Sequence, residues 1–544
     1  VNTPMTNNVG LFGAVGTGSL IKNLGLVDSS VSGLHYVGGL VGYNDGTVSN
    51  SYSTSSVIGN SYVGGLVGHN DGTVSNSYTT ELVTGTYFIG GLVGHNNGTV
   101  NNTYATGNVI GTFGVGGLVG SNGNPEFGPG TISNSYSTGS VSGSDYVGGL
   151  LGSNSLGTIT NSYWDTTSSG KADGLGIGYL SMGVGFVGVE GIVGTPQAGV
   201  TGLNTTQMMQ STSFDSWNSV TPNTIANTSG SGAAWRIYEG HSTPLLSSFL
   251  TPLTLSDNTV IYNGATQSGT ALANVFGGTN AGFYNLYSNQ KGYDISGGKL
   301  TITAAALGIN AANDIKVYDG LTSSTGVVTF SGLLGIDTVT NATQEFGSKN
   351  VLGANLSTLS VANYTVNDGN AGGNYTVTTN TAAGTITPAA LDINAANDIK
   401  VYDGLKSSTG VVTFTGLLGS DTVTDATQEF SSKNVQGLNR SMLSVANYTV
   451  NDGNTGGNYT VTAYNALGSI TAAALDINAA PDTKVYDGLT RSAGVVTVTG
   501  LVGSDTVSGA TQSFDSKNVM GANQSTLRAA NYTVNDGNSG RNYT

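Results

Sequence analysis

The sequence predicts an all-β protein in which a β-solenoid, a parallel β-helix-like stack with coils of about 26 residues, precedes tandem Gly-rich β-sandwich modules of about 84 residues. Three observations support this fold class. Of the 544 residues 85 are Gly and only 9% are charged, a short motif returns about every 26 residues, and a longer unit returns every 84. A fixed period of this size is typical of stacked or tandem repeats, and the abundant Ser, Thr, Asn, Val and Tyr favour strands and turns.

Charge and cysteine content exclude several functions. The net charge is −15, from 31 acidic and 16 basic residues, whereas nucleic-acid binding requires a basic surface. A basic membrane-surface helix is missing as well, so we expect neither nucleic-acid binding nor membrane insertion. Because there is no cysteine, disulfides and cysteine-based metal or catalytic sites are also excluded.

Residues 1–165 carry the first repeat, which predicts the solenoid. The motif GGLVG recurs at intervals of 26, 26, 26 and 32 residues, and the longer interval contains an insertion at 123–129. Each copy contains about three short strand candidates separated by Gly or Asn turns, which corresponds to one coil. These intervals are counted between the leucines of successive copies, which are Leu40, Leu66, Leu92, Leu118 and Leu150.

Alternation within one copy predicts which side chains face the interior. In TVSNSY, residues 73–78, Val74, Asn76 and Tyr78 are expected to point inward, and Ser77 outward. Coils stack about 4.8 Å apart, so identical side chains form columns, and amides in such a column can hydrogen-bond to one another. We therefore predict an amide ladder at Asn50, Asn76, Asn102, Asn134 and Asn161, and a structural ladder of tyrosines at Tyr52, Tyr78, Tyr104, Tyr136 and Tyr163.

These repeated residues resemble the GLUG repeat of bacterial surface exoproteins. The pattern GGLVGxNxGTVxNSY recurs in five copies over roughly residues 10–165. The resemblance implies a right-handed β-solenoid and a surface or secreted location, and it implies no activity. Residues 166–251 are expected to cap the solenoid and link it to the modules, with Phe214, Trp217, Trp235 and Tyr238 as plugs and with Asn204 and Gln207 as a capping box.

The second repeat begins after residue 251. A short degenerate module is predicted at 252–304, followed by modules at 305–388, 389–472 and 473–544, the last of them truncated. The motif VYDGL places tyrosines 84 residues apart, at Tyr318, Tyr402 and Tyr486. Modules with this motif resemble YDG modules. Together with the GLUG repeats they resemble a filamentous-haemagglutinin-like adhesin, which implies two-partner secretion and an outer-membrane export partner.

No residue is predicted to be catalytic or to bind a cofactor. His69 and His95 share one column, but no third metal ligand is evident beside them, and Asp45 and Asp71 lie in NDG turns. For the acidic residues of the modules, a role in turns is the main interpretation and a calcium site is the alternative. These residues are Asp319, Asp403 and Asp487 in YDG, and Asp368, Asp452 and Asp536 in NDGN.

The sequence therefore favours a non-enzymatic bacterial exoprotein, secreted or on the cell surface, outside the outer membrane. As the shaft of an adhesin it would attach through many weak contacts to glycans or proteins on host or environmental surfaces. One alternative is a carbohydrate-active β-helix enzyme or a region associated with a peptidase. A second alternative is an ice-binding solenoid.

Overall fold

A computed structural model describes residues 1–124, 126, 128–178, 197–220 and 224–544. The chain is 49% strand and 4% helix, and it divides into two compact units, Val1–Ala304 and Ala305–Thr544. The predicted all-β fold class is confirmed, because the N-terminal strands form parallel sheets and the later strands form mixed sheets. Among the described residues, no helix has the length and apolar character needed to cross a bilayer.

Three parallel sheets form the walls of the solenoid. The LVG sheet contains Phe12–Val15, Val41–Asn44, Val67–Asn70, Val93–Asn96, Val119–Asn122, Leu151–Asn154 and Leu175–Gly178. The YVG sheet contains His35–Gly38, Ser61–Gly64, Tyr87–Gly90, Phe113–Gly116 and Asp145–Gly148. The TVS sheet contains Leu20–Lys22, Gly25–Ser32, Thr47–Ser49, Tyr52–Ile58, Thr73–Thr79, Val83–Thr84, Thr99–Ala105, Val109–Ile110, Thr131–Ser133, Tyr136–Ser137, Val141–Ser142, Thr158–Thr160, Ser162–Asp165 and Val200–Leu203.

Two columns of apolar side chains fill the solenoid. Val74 pairs in register with Val48 on one side and Val100 on the other, and all three are fully buried beside the GGLVG leucines. A second cluster lies between the YVG sheet and the far end of the TVS sheet and is made chiefly of valines. Burial of like side chains on every coil explains why the sequence repeats them.

The paired glycines of GGLVG are required by close backbone approach between coils. A Cβ atom on Gly64 would lie 2.1 Å from the carbonyl oxygen of Val67 and 2.6 Å from the backbone nitrogen of Gly94. A Cβ atom on Gly65 would lie 2.2 Å from the carbonyl oxygen of Gly91. No other residue type fits these positions without displacing the neighbouring coil.

The rest of the first unit contains short elements. The helices are the α-helices Thr166–Ser169 and Asp215–Val220 and the 3₁₀ helices Gln207–Met209, Ser211–Phe214 and Ser247–Phe249. The strands are Ile225–Ala226, Trp235–Arg236, Leu245–Leu246, Thr251–Leu255, Asn258–Ile261, Gly282–Asn285, Tyr293–Gly297 and Lys299–Thr303. The predicted capping box is present, since Asn204 and Gln207 each accept a 2.9 Å hydrogen bond from the other's backbone N–H.

Each of the first two modules forms one three-stranded and one four-stranded sheet with mixed pairing. The first contains Ala305–Asn310, Asp314–Val317, Thr329–Ser331, Thr338–Phe346, Ser357–Asn367, Tyr375–Asn380 and Ala382–Thr387. The second contains Ala389–Asn394, Ile399–Val401, Thr413–Thr415, Thr422–Phe430, Ser441–Asn451, Tyr459–Tyr464 and Ala466–Thr471. The third contains Asp476–Asn478, Thr497–Thr499, Thr506–Ser508, Thr511–Phe514, Leu527–Ala530 and Thr533–Asn535.

Hydrophobic cores in the second unit extend across the boundaries between modules. One core joins Phe346 and Leu359 of the first module to Leu391 and Tyr459 of the second. The next core joins residues of the second and third modules in the same way, among them Phe430 and Leu443 with Ala473 and Tyr543. Consecutive modules therefore share buried apolar surface.

Candidate functional site

The recurring SNSY motif of the solenoid contains a left-handed residue. Asn76 has φ of 47°, and its counterparts Asn50, Asn102, Asn134 and Asn161 have φ between 45° and 48°. This conformation interrupts the strand alternation, so that Ser77 is fully buried while Asn76 is only half-buried. The predicted orientations of Asn76 and Ser77 are therefore corrected. Ser77 Oγ instead donates to Ser75 O at 2.7 Å and accepts from Ser51 N at 3.1 Å.

The hydrogen-bonded amide ladder lies in the LVG sheet. Asn70 Nδ2 donates to Asn96 Oδ1 at 2.7 Å, and Asn44 Nδ2 donates to Asn70 Oδ1 at the same distance. The ladder continues through Asn122 to Asn154, and all five side chains are buried. This corrects the ladder predicted at Asn50, Asn76, Asn102, Asn134 and Asn161, whose left-handed backbone suits a corner and which form no such chain of amide bonds in the described part of the protein.

The tyrosine ladder forms a stack along the outside of the TVS sheet. The ring centroids of Tyr52 and Tyr78 are 5.1 Å apart, those of Tyr78 and Tyr104 4.9 Å, and those of Tyr104 and Tyr136 5.1 Å. Tyr163 contacts aromatic residues of the following segment instead. Burial raises the pKa values of Tyr78, Tyr104 and Tyr136, so these three phenols stay neutral.

Residues expected to plug the end of the solenoid cover this tyrosine stack instead. Phe214, Trp217 and Trp235 share one buried cluster with Tyr78, Tyr104, Tyr136 and Tyr163. The hydroxyl of Tyr136 also donates to Pro244 O at 2.7 Å. The tyrosines point away from the solenoid interior, so the inward orientation predicted for Tyr78 was wrong. They therefore need a cover of their own, and this segment supplies it.

Histidines form part of an aromatic column on the LVG sheet. Tyr43, His69 and His95 pair in register, with ring centroids 4.9 Å apart for the first pair and 5.0 Å for the second. Asp71 accepts a hydrogen bond from the Tyr43 hydroxyl, and its Oδ1 lies 2.9 Å from His69 Nε2. Asn97 Nδ2 donates to the same oxygen at 3.0 Å.

Burial controls the charge of these histidines. It lowers the pKa of His95 to about 4, and it lowers the pKa of His69 even though Asp71 acts in the opposite direction. The hydrogen bond to Asp71 raises the pKa of Tyr43 to about 12. Both imidazoles are therefore neutral at physiological pH, and the carboxylate of Asp71 is held by three donors.

In the modules, the aspartates of the YDG motif organise a loop around a lysine. Lys316 Nζ lies 2.8 Å from Asp319 Oδ1 and donates to Leu321 O at 2.7 Å. The Asp319 carboxylate also accepts from Leu321 N at 2.9 Å. The second and third modules repeat the ion pair at Lys400–Asp403 and Lys484–Asp487. The cation beside each of these carboxylates is therefore a lysine.

The aspartates of the NDGN motif accept hydrogen bonds from their own turn. Asp452 Oδ1 accepts from Asn454 N at 2.7 Å and from Gly456 N at 2.9 Å, while Oδ2 accepts from Asn458 N at 2.9 Å. Burial would raise the pKa of Asp452, but these three N–H donors outweigh it and lower the pKa. Asp368 and Asp536 have the same contacts.

These contacts support the role in turns, and nothing in them supports the calcium alternative. Calcium needs several oxygen atoms that converge on one point, whereas here N–H and ammonium donors face the carboxylates. Within the described residues, no group of three or more His, Cys, Asp or Glu side chains is arranged to hold a metal ion.

A shallow groove on the second module contains an exposed tyrosine. Tyr448, Val450 and Val461 line it together with the backbone at Gly453 and Gly456. Tyr448 is exposed, as are its counterparts Tyr364 and Tyr532 in the first and third modules. Half-exposed tyrosines at one position of every module are a candidate contact surface.

Comparison with known protein families finds two matches. The model described as the YDG domain matches residues 301–382, 387–466 and 471–544, and the model described as the GLUG motif matches residues 33–58, 59–84 and 111–142. The chain carries GLUG motifs and three YDG domains. No curated protein matches the chain, and no solved structure matches it.

The tyrosine of the YDG motif connects one YDG domain to the next. The Tyr318 hydroxyl donates to Asp421 Oδ2 in the second domain at 2.8 Å, and Tyr459 donates to the same oxygen at 2.8 Å. The two rings meet edge to face at 5.4 Å, and Lys349 Nζ lies 3.4 Å from Asp421 Oδ1. We call this contact set the clasp.

Backbone and amide groups complete the clasp. Val351 N donates to Asn458 Oδ1 at 2.8 Å, and Asn454 Nδ2 donates to Val351 O at 3.0 Å. Asn458 Nδ2 donates to Asn350 Oδ1 at 3.0 Å. The NDGN turn that Asp452 holds together therefore presents two amides to the preceding YDG domain.

The tyrosine, carboxylate and amide contacts of the clasp also join the second and third YDG domains. Tyr402 and Tyr543 both donate to Asp505 Oδ2 at 2.8 Å, and Val435 N donates to Asn542 Oδ1 at 2.9 Å. The acceptor residues were absent from our sequence-based predictions. Their signal was present, because aspartate recurs at Asp337, Asp421 and Asp505, always 84 residues apart, and the donor segment SKNV recurs at the same interval at 348–351, 432–435 and 516–519.

Proposed function

We propose that this chain is the shaft of a non-enzymatic bacterial adhesin that lies on the cell surface or is secreted with the help of an outer-membrane partner. The GLUG and YDG repeats are those of a repeat-containing surface or secreted protein. The proposal adds that the chain attaches to glycans or proteins of host or environmental surfaces.

The proposal is supported by one observation: each of the three YDG domains exposes a tyrosine at the same position, and clasps join these domains. Tyr364, Tyr448 and Tyr532 occupy equivalent positions, and the clasp fixes how the domains follow one another. Three weak contacts of equal kind add their free energies when they act on one surface, so affinity rises steeply with the number of domains engaged.

The surroundings of the tyrosine suit an uncharged, hydroxyl-rich ligand. A tyrosine ring offers an apolar face and a hydroxyl that hydrogen-bonds. The strand that carries it also has exposed amides and hydroxyls, such as Asn367 Nδ2, which donates to Thr340 Oγ1 at 3.0 Å. The net charge of −15 opposes strongly acidic ligands.

A binding screen of the full chain against immobilised glycans and host-matrix proteins tests the proposal. The triple variant Tyr364→Ala, Tyr448→Ala and Tyr532→Ala is expected to lose retention on the surfaces that bind the wild type, by about 100-fold or more. Each single variant should lose a smaller factor, because two contacts remain. Tyr464→Ala is the matched control, since this tyrosine is equally exposed and its counterpart in the first domain is Asn380.

Two results would contradict the proposal. Unchanged binding by the triple variant would exclude the tyrosine groove as the contact. Turnover of any polymer in the screen would show that the chain is an enzyme, and the non-enzymatic proposal would be wrong.

A further inference from the structure

The third YDG domain exposes side chains that the first two domains bury in their clasps. Tyr318 and Tyr402 are each 2% exposed, whereas the equivalent Tyr486 is 57% exposed. Val351 and Val435 are half-buried, whereas the equivalent Val519 is 80% exposed. One tyrosine and one valine thus lie open on a surface that is covered in both preceding domains.

This surface of the third domain keeps every group that the two clasps use on their donor side. The tripeptide YDG and the tetrapeptide SKNV are identical in all three domains. Tyr486 therefore retains the hydroxyl that donates to a carboxylate, and Val519 retains the backbone N–H that donates to an amide oxygen. In the described residues, no hydrogen bond reaches that N–H.

The two clasps define which partner matches the surface. It must present a carboxylate beside a second tyrosine, as Asp421 stands beside Tyr459, and an asparagine whose Oδ1 accepts from Val351 N. Charge agrees as well, because in the first clasp Lys349 pairs with Asp421, and the third domain has Lys517 at the same position. An unrelated apolar partner would leave these donors unpaired.

We propose that the surface formed by Tyr486, Lys517, Asn518 and Val519 docks a further YDG domain in tandem and closes a third clasp with it. The partner's equivalent of Asp505 accepts from Tyr486, and its equivalent of Asn542 accepts from Val519 N–H. This inference is independent of the adhesin proposal, since it concerns how YDG domains are joined and not what they bind.

Hydrogen exchange on an extended chain tests the docking. The full chain is lengthened after Thr544 by a second copy of residues 461–544, which is one whole period because Thr544 is equivalent to Thr460. Val351 and Val435 serve as internal references, since their amides are bonded in existing clasps. In the original chain Val519 should exchange faster than both, and in the extended chain it should slow by at least about fivefold.

A charge variant and a second extension make the test decisive. Tyr486→Asp places one carboxylate opposite another, and it should restore fast exchange at Val519 in the extended chain while leaving the melting of the original chain unchanged. If the first extension does not fold, as judged by its own strand amides, a copy of residues 377–460 takes its place. Fast exchange at Val519 beside a folded added domain, or slow exchange that persists in Tyr486→Asp, would overturn the proposal.

Discussion

The hydroxyl of Tyr318 donates a 2.8 Å hydrogen bond to Asp421, a residue 103 positions further along the chain. Tyr402 and Asp505 repeat this relationship at the next junction. The tyrosine that begins the first and the second YDG motif therefore stabilises the contact with the following domain. In both cases the tyrosine and its acceptor are buried, so the hydrogen bond is shielded from water.

Removing the clasp hydroxyl should destabilise the second unit. We expect Tyr402→Phe to lower the free energy of unfolding by about 1 to 2 kcal/mol, because a buried carboxylate loses one of its two phenol donors. Urea denaturation of the full chain, followed by the fluorescence of its tyrosines or by circular dichroism, measures the change. Tyr486→Phe is the matched control, and its exposed hydroxyl should leave stability unchanged; an equal loss in both variants would contradict the role of the clasp.

Two asparagine columns should respond differently to substitution. Asn70→Ala removes a buried amide that both donates and accepts in the ladder, so we expect a loss of about 2 to 4 kcal/mol. Asn76→Gly should cost less than about 0.5 kcal/mol, since glycine adopts positive φ readily, whereas Asn76→Ala should cost about 1 kcal/mol. Thermal unfolding ranks the three variants, and a larger loss at Asn76→Gly than at Asn70→Ala would contradict the observed position of the ladder.

Acid should destabilise the solenoid through His95. The pKa of His95 is about 4 in the folded chain, below its ordinary value of about 6.5, so the unfolded chain binds the proton more readily. Stability contributed by this group is complete above about pH 6.5 and falls as the pH drops toward 4, by about 3 kcal/mol in all. Burial also lowers the pKa of His69, which therefore adds to the loss in the same direction.

His95→Ser isolates this contribution. Serine occupies the same column at Ser121 and Ser153, so the substitution fits the coil. The variant should lose less stability than the wild type between pH 6.5 and 4, as measured by thermal unfolding across that range. His241→Ser, which changes an exposed histidine, should keep the full wild-type dependence; a His95→Ser curve parallel to the wild type would rule out His95 as the cause.

Calcium removal should leave the YDG domains unchanged. The carboxylate of Asp452 already accepts three backbone N–H bonds, and Asp403 is paired with Lys400. We therefore expect the same melting temperature in EDTA and in millimolar calcium. Asp452→Ala should lower it in both conditions, because the NDGN turn loses its acceptor. A rise in melting temperature on adding calcium that Asp452→Ala abolishes would support the calcium alternative.

The periods of the sequence predict the fold, but they do not predict the orientation of every side chain. Val74 follows simple alternation, and its column lies in the core as expected. Alternation fails after Asn76, because one left-handed residue reverses the face to which Ser77 points. The amide ladder was detectable in principle, since Asn44, Asn70, Asn96 and Asn122 also recur every 26 residues. Periodicity alone does not distinguish a buried amide from an amide at a corner.

Module boundaries show a second limit of the sequence. An 84-residue period fixes the length of a unit, but it leaves open where one folded unit ends and the next begins. The structure shows that Phe346 and Leu391, which lie on opposite sides of residue 388, pack into one core. Such pairing between periods depends on long-range contacts that no local pattern contains.

Shared cores between consecutive YDG domains make the number of domains easy to change by recombination. If residues 389–472 were deleted in frame, Tyr318 would face Asp505 in place of Asp421, and the new junction would contain the same tyrosine, carboxylate and asparagine groups as the old one. Duplication of any 84 consecutive residues in this region would likewise restore matching partners on both sides. A change in the number of YDG domains would therefore need no compensating substitutions.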